Sequence, residues 1–205
     1  MPLRRLTALT LALTLACSDS GGPDDDGTVK PPSELTILRL SEDSPPVFNP
    51  VASFWAVRGE NRAVEISFTD PGNPGQPGEE YLELEVDAEA LLARPDGTPF
   101  ASGDSVLITV RVVDPGRLLF KFEPAGLTFN PARPAELKLH YNHADDDLDE
   151  DGDVDLDDRS LELTIGIWRQ ENDGDPFARL GSLLIEDLEE IDAELEGFSR
   201  YALAY

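Results

Sequence analysis

The sequence predicts an all-β chain, an antiparallel β-sandwich interrupted between two strands by a long acidic loop. Three observations predict it. From Glu34 onward apolar residues recur with a period of two, the spacing of side chains on one face of a strand. Gly, Pro and Asn break that alternation at short intervals, as turns between strands do. With 40% hydrophobic and 28% charged residues over 205 positions, the chain has enough apolar material for one core and too much for whole-chain disorder.

In order, the first strand is expected over residues 35–40, the second over 51–57 and the third over 63–69, with Gly59, Glu60 and Asn61 turning between the last two. A Pro/Gly-rich loop over 70–78 leads to a strand at 81–86. Further strands are expected at 105–113, 118–122, 135–141, 161–168, 177–185 and 198–205. Alternation within them implies one wet face per sheet. One stretch carries two periodicities. Leu184, Leu188, Ile191 and Leu195 have helical spacing, whereas Ile191, Ala193 and Leu195 alternate, so spacing leaves helix and hairpin open.

Ahead of the strands the chain reads as an address. Arg4 and Arg5 precede an apolar run from Leu6 to Ala16, too short for the roughly 20 residues a bilayer-spanning helix needs but suited to a secretory signal. Residues 13–17 read Leu-Thr-Leu-Ala-Cys, which resembles the bacterial lipobox. In that family cleavage precedes the cysteine and lipid is attached to it. The resemblance assigns 1–16 to a signal peptide, Cys17 to lipidation and the chain to the cell envelope, at the outer membrane or cell surface and facing periplasm or exterior. Thr14 departs from the Leu preferred there. Cys17 is the chain's one cysteine, which excludes internal disulfides. Residues 17–33, with the run Asp24-Asp25-Asp26, show no apolar periodicity and are expected to form a disordered tether before a domain at 34–205.

The charge narrows the partners. Forty-two acidic against 16 basic residues give −26, which argues against nucleic acid, since phosphate binding needs clustered Lys and Arg. Ten of the fourteen residues from 145 to 158 are acidic. Within them, residues 147–158 fit the twelve-position EF-hand calcium loop in one frame. Asp147, Asp149 and Asp151 stand at positions one, three and five and Gly152 at the turn. Asp153 offers its carbonyl at seven, and Asp155 acts through water at nine. Val154 stands where such loops carry an apolar pin to the core. Asp158 fills position twelve in place of Glu, as in the loops of bacterial dockerins that it resembles. Hard oxygen ligands suit Ca²⁺. With strands expected on both sides, the loop reads as a structural staple rather than a helix-opening sensor.

Several short motifs resemble, in order, those of the ZU-five domain shared by zonula-occludens proteins, netrin receptors and ankyrins, relatives of which bacterial surface lipoproteins carry. They are Val86-Asp87-Ala88-Glu89-Ala90-Leu91, residues 104–110, Phe122-Glu123-Pro124-Ala125-Gly126-Leu127-Thr128-Phe129, Leu137-Lys138-Leu139 and Gly197-Phe198-Ser199-Arg200-Tyr201-Ala202. The resemblance covers about 79–205 and implies a sandwich used for protein contacts. It also implies a strand before Phe198, which favours the hairpin. Some relatives cleave themselves at His-Phe-Ser, where a histidine assists the hydroxyl; here Gly197 takes its place, so cleavage between Phe198 and Ser199 is the least favoured reading.

His140 is expected on the wet face of its strand, and His143 is a poor calcium ligand. Trp168 and Trp55 are read as packing residues first and a sugar-stacking platform second. Residues 172–175, Asn-Asp-Gly-Asp, are read as a turn first and as a second calcium contact after that. No nucleophile–base pair is visible, so no enzyme is expected. The leading expectation is a non-catalytic, membrane-anchored lipoprotein serving as a calcium-stabilised protein-interaction or structural module, with an envelope or extracellular protein as partner. A carbohydrate-binding module is the alternative.

Overall fold

The computed structural model describes residues 27–205, so the signal segment, Cys17 and most of the expected tether lie outside the described residues. The strands are β1 (Val29–Lys30), β2 (Val51–Val57), β3 (Arg62–Thr69), β4 (Pro77–Val86), β5 (Leu91–Ala93), β6 (Ser105–Val112), β7 (Leu119–Glu123), β8 (Thr128–Phe129) and β9 (Ala135–His140). Helix α1 (Leu156–Glu162) follows. Then come β10 (Gly166–Gln170), β11 (Phe177–Arg179), β12 (Ser182–Ile185), β13 (Glu190–Leu195) and β14 (Arg200–Ala204). A seven-stranded sheet runs β1-β11-β10-β14-β7-β6-β2, a five-stranded sheet runs β12-β13-β9-β4-β3, and β5 pairs with β8. The pairings are antiparallel, as the alternation predicts.

The two large sheets pack through one core. The seven-stranded sheet contributes Ile108, Val110, Phe120, Phe122, Ile167, Tyr201 and Leu203; the five-stranded sheet contributes Ile66, Leu82, Leu84, Leu137, Leu139 and Ile191. Each such side chain adds about 1.5–3 kcal/mol by leaving water. Phe122 meets the Tyr201 ring edge-on at 5.2 Å between centroids and Phe198 at 5.4 Å.

Three expectations are corrected. Residues 35–40 alternate but form no strand. They cross the rim of the sandwich, making isolated bridges at Ile37, Arg39 and Leu40, with Leu38 in the main core and Leu35 over Trp168. The strand expected over 161–168 is helical at its start, because α1 runs to Glu162 and β10 begins only at Gly166. The strand expected over 177–185 is two strands on different sheets.

Part of the expected tether is also ordered: β1 pairs with β11, and the Lys30 ammonium sits 5.2 Å from the Trp168 ring centroid. The segment with two periodicities is a hairpin. β12 and β13 pair through Ser182–Ala193 to Ile185–Glu190, joined by a 3₁₀ turn at Glu186–Leu188. Glu189 ends that turn in the left-handed region. Among the described residues no helix is long and apolar enough to cross a membrane.

Candidate metal centre

The acidic loop leaves β9 near Tyr141 and is tied down before its carboxylates begin. Asp145 N–H donates to the Arg39 carbonyl at 2.9 Å, and Leu40 bridges Ala144. Leu148 packs against the main core, the Tyr205 hydroxyl donates to its carbonyl, and Arg39 pairs with Glu150. The sandwich thus fixes the first half of a segment that would otherwise repel itself.

Within the loop, side-chain oxygens turn onto backbone donors. Asp147 accepts from Asp151 N–H through Oδ1 (3.1 Å) and from Gly152 N–H through Oδ2 (3.0 Å). Asp149 Oδ1 also accepts from Asp151 N–H (3.1 Å), and Asp151 Oδ1 accepts from Asp153 N–H (3.1 Å). Gly152 has φ of 98°, which a side chain would strain, so a glycine at this turn has a physical reason. These bends bring one oxygen from each of Asp147, Asp149 and Asp151 within 4.8 Å of one another, the one such group of three among the described residues. Without a counter-ion they crowd: burial first, then the charges of Asp151, Asp158 and Asp147, push the Asp149 carboxyl above its usual value.

The other expected ligands do different work. Asp155 caps α1, its Oδ1 accepting from Asp157 N–H at 2.6 Å. Asp158, 3% exposed, accepts from Leu148 N–H (2.7 Å) and Asp149 N–H (3.1 Å) with Oδ1, and from Asp155 N–H (2.8 Å) with Oδ2. The N–H groups of Asp155 and Asp149 hold this carboxyl below the usual range. Asp158 is therefore the knot that closes the loop onto the helix, and the structure does not add it to the converging three. Among the described residues, the Asp153 carboxylate is not part of the converging group. Val154 is 66% exposed, so the expected pin to the core is replaced by Leu148.

The expectation of strands on both sides is corrected as well, since α1 starts inside the loop's last three positions. The reciprocal box between Asp155 and Asp158 nucleates it. The spacing of those two residues was the signal in the sequence. The anchoring roles of Arg39 and Tyr205, over 100 positions from each other, had none.

The outer face of the five-stranded sheet is the second dense carboxylate region. A groove of about 440 Å³ is lined by Glu83, Glu85, Glu136, Asp192 and Glu194, with Lys138 among them. Burial and then Glu80 and Glu85 raise the Glu83 carboxyl; burial and then Glu190 raise Asp192. For the Lys138 amine burial works downward, but Glu190, Glu83 and Glu80 prevail and raise it. His140 lies on this wet face as expected, its Nε2 at 3.3 Å from Glu80 and 3.5 Å from Glu190. His143 Nε2 meets Glu79 at 2.9 Å.

Trp168 is buried, its indole N–H donating to the Ala204 carbonyl at 3.0 Å. Trp55, expected to pack, is instead 59% exposed on the outer face of β2. The turn at 172–175 is closed by Asn172 Nδ2 donating to Asp175 Oδ2 at 2.8 Å. At Ser199 the hydroxyl is buried and donates to the Arg200 carbonyl at 3.4 Å. A Cβ at Gly197 would stand 2.9 Å from the Leu127 carbonyl oxygen, so a histidine there would force the backbone apart. No family model, curated protein or solved structure significantly matches this chain.

Proposed function

We propose that the chain is a non-catalytic lipoprotein of the cell envelope, held to the membrane by lipid on Cys17 and presenting a calcium-stabilised sandwich, similar to the ZU-five domain, for protein contact or structural support. The observation that carries the calcium part is the convergence of Asp147, Asp149 and Asp151 within 4.8 Å, immediately before a helix capped by Asp155 and Asp158. Three hard carboxylate oxygens on a bent loop suit Ca²⁺, which would supply the positive charge that relieves their repulsion. Asp147, Asp149 and Asp151 would hold the ion, and Asp158 would keep the loop closed around it. A staple of this kind belongs with extracellular modules, whose affinities are on the order of 10⁻⁴–10⁻³ M.

Calcium titration of the full chain by calorimetry and thermal melting tests this. Heat and a rise in Tm at millimolar calcium, both lost in Asp149→Asn, are expected; no heat and no shift would remove the ion from the account. For the anchor, the mass of the protein recovered from membranes should include acyl chains, and Cys17→Ala should release it. A glycan-binding role is the second reading, favoured by the exposure of Trp55; Trp55→Ala should then abolish retention on a polysaccharide column.

A further inference from the structure

The two large sheets divide the charge of the chain between them. Strands of the seven-stranded sheet carry six basic residues, Lys30, Arg111, Lys121, Arg169, Arg179 and Arg200, and one acidic residue, Glu123. In the five-stranded sheet β4 alone carries four acids and β13 three, against Arg62 and Lys138. A net charge of −26 therefore covers a sandwich with one cationic sheet.

Register concentrates that charge. Val110, Phe120, Phe122 and Tyr201 face the core, so Arg111, Lys121 and Arg200 point outward. Arg111 stands directly opposite Lys121, and Lys121 opposite Arg200. Three cations thus form a row across β6, β7 and β14, at the strand spacing of about 5 Å. Like charges directly opposed cost stability. Local acids answer part of the row: Glu123 meets Lys121 at 2.9 Å, and Asp173, its side chain 91% exposed, meets Arg200. Arg200 Nε is buried with no hydrogen-bond partner among the described residues.

Toward β2 the same face turns apolar. Trp55 stands opposite Leu107, and Val51 opposite Arg111; the three apolar side chains are 59%, 45% and 40% exposed. Cations and apolar groups are spread in two dimensions, across four strands and along about 14 Å of β6. The acidic groove opens on the opposite sheet. A linear ligand covers the row or the indole, whereas a planar one covers both.

We infer that this face lies on an anionic lipid surface, with Arg111, Lys121 and Arg200 at the phosphates and Trp55 and Leu107 among the headgroups. The inference rests on the anchored-lipoprotein reading for how the face meets a membrane. Residues 18–28, at most about 40 Å of chain, separate Cys17 from β1, an edge strand of this same sheet. The acids of the chain stay clear of the contact. With the sheets about 10 Å apart, the outer side chains of the five-stranded sheet lie about 20 Å away, well beyond the Debye length of about 8 Å at physiological salt. The acidic loop sits past the far end of β14, where the Tyr205 hydroxyl donates to the Leu148 carbonyl, whereas Arg200 begins that strand.

The test is co-sedimentation of the full chain carrying Cys17→Ala, which has no attached lipid. Vesicles of phosphatidylglycerol and phosphatidylcholine in equal parts are compared with phosphatidylcholine alone, both in EDTA. Arg4, Arg5 and the apolar run after them are common to every arm, so the face variants decide. Binding to the anionic vesicles should fall with salt and drop about thirtyfold or more in Arg111→Glu/Lys121→Glu. Where charge reversal unfolds the domain, Arg111→Gln/Lys121→Gln should still lose about tenfold. Lys138→Glu, on the opposite face, should change binding less than about twofold. Trp168 is buried, so a blue shift of tryptophan emission on anionic vesicles reports Trp55 and should vanish in Trp55→Phe. Asp149→Asn should leave binding unchanged, and the acyl mass of membrane-recovered protein decides the anchor separately, so failure here is distinct from failure of either reading. Equal binding by the folded face variants, the absence of a blue shift, or an effect of these variants on an acidic polysaccharide column alone would each overturn the inference.

Discussion

The loop at 145–158 and the outer face of the five-stranded sheet both crowd carboxylates, but only the loop turns backbone donors onto them. Asp147, Asp149 and Asp151 accept from backbone N–H groups a few residues on, and Asp158 from those of Asp155, Asp149 and Leu148, because a loop is free to bend its peptides toward them. On the sheet, Glu83, Glu85, Glu136, Asp192 and Glu194 stand on strands whose N–H groups are already committed to the ladder. Their cation is Lys138, at 3.7 Å from Glu83, and Asp192 Oδ1 is buried without a hydrogen-bond partner. Two carboxylate-rich regions therefore give a convergent centre in one place and a groove with a single lysine among its acids in the other. Backbone freedom, rather than composition, makes the difference.

The largest way to break the contrast is Asp158→Ala. It strips the acceptor from the N–H groups of Leu148, Asp149 and Asp155 together and removes half of the box that starts α1. The expected result is the greatest loss of Tm among single loop substitutions, with fast amide exchange across 147–158. Asp155→Ala, which removes only the cap, should cost about 1 kcal/mol in a denaturant melt.

Calcium should sharpen the contrast next. At about ten times its Kd, an ion bound only by the folded state adds about 1.4 kcal/mol. Slowed exchange should be confined to the loop and absent from the groove. Asp149→Asn should abolish that response while slightly stabilising the calcium-free protein, because it removes a carboxylate whose ionisation its neighbours oppose.

Acid should move Asp158 and the sheet-face carboxyls in opposite directions. Glu83 and Asp192 are raised, so their ionisation costs stability at neutral pH, and that cost is relieved as pH falls through their folded values toward about 4. Asp158 is lowered. Its contribution is fully present above about 4 and is lost only as pH falls through its depressed folded value. Carboxyl titrations followed by NMR should give this order, and Asp192→Asn should remove the Asp192 part of the sheet-face effect. The smallest change is expected from Lys138→Gln, a partly exposed pair worth under about 1 kcal/mol, which should raise the Glu83 carboxyl further.

Much of the fold was legible because alternation reports burial on a strand directly. Leu82, Leu84 and Val86 and their partners Leu137 and Leu139 lie in the core as their period implies. The same signal misled at residues 35–40, where alternation serves a segment wedged at the rim, touching the main core with Leu38 and Trp168 with Leu35. It misled at Trp55 too, since a tryptophan in a strand reads as packing whether its strand is central or at an edge.

The sequence by itself determined the all-β class, the placement of most strands and the positions of the converging Asp147, Asp149 and Asp151, because period, turn residues and ligand spacing are local. Tertiary structure alone decided that Asp158 turns inward, that Leu148 rather than Val154 seats the loop, and that β2 ends a sheet with its backbone uncovered. Each of these depends on which distant segment arrives alongside: Tyr205 and Arg39 at the loop, and no strand beyond β2 among the described residues. Local patterns encode how a segment folds, and only the assembled sheets set what is left facing water.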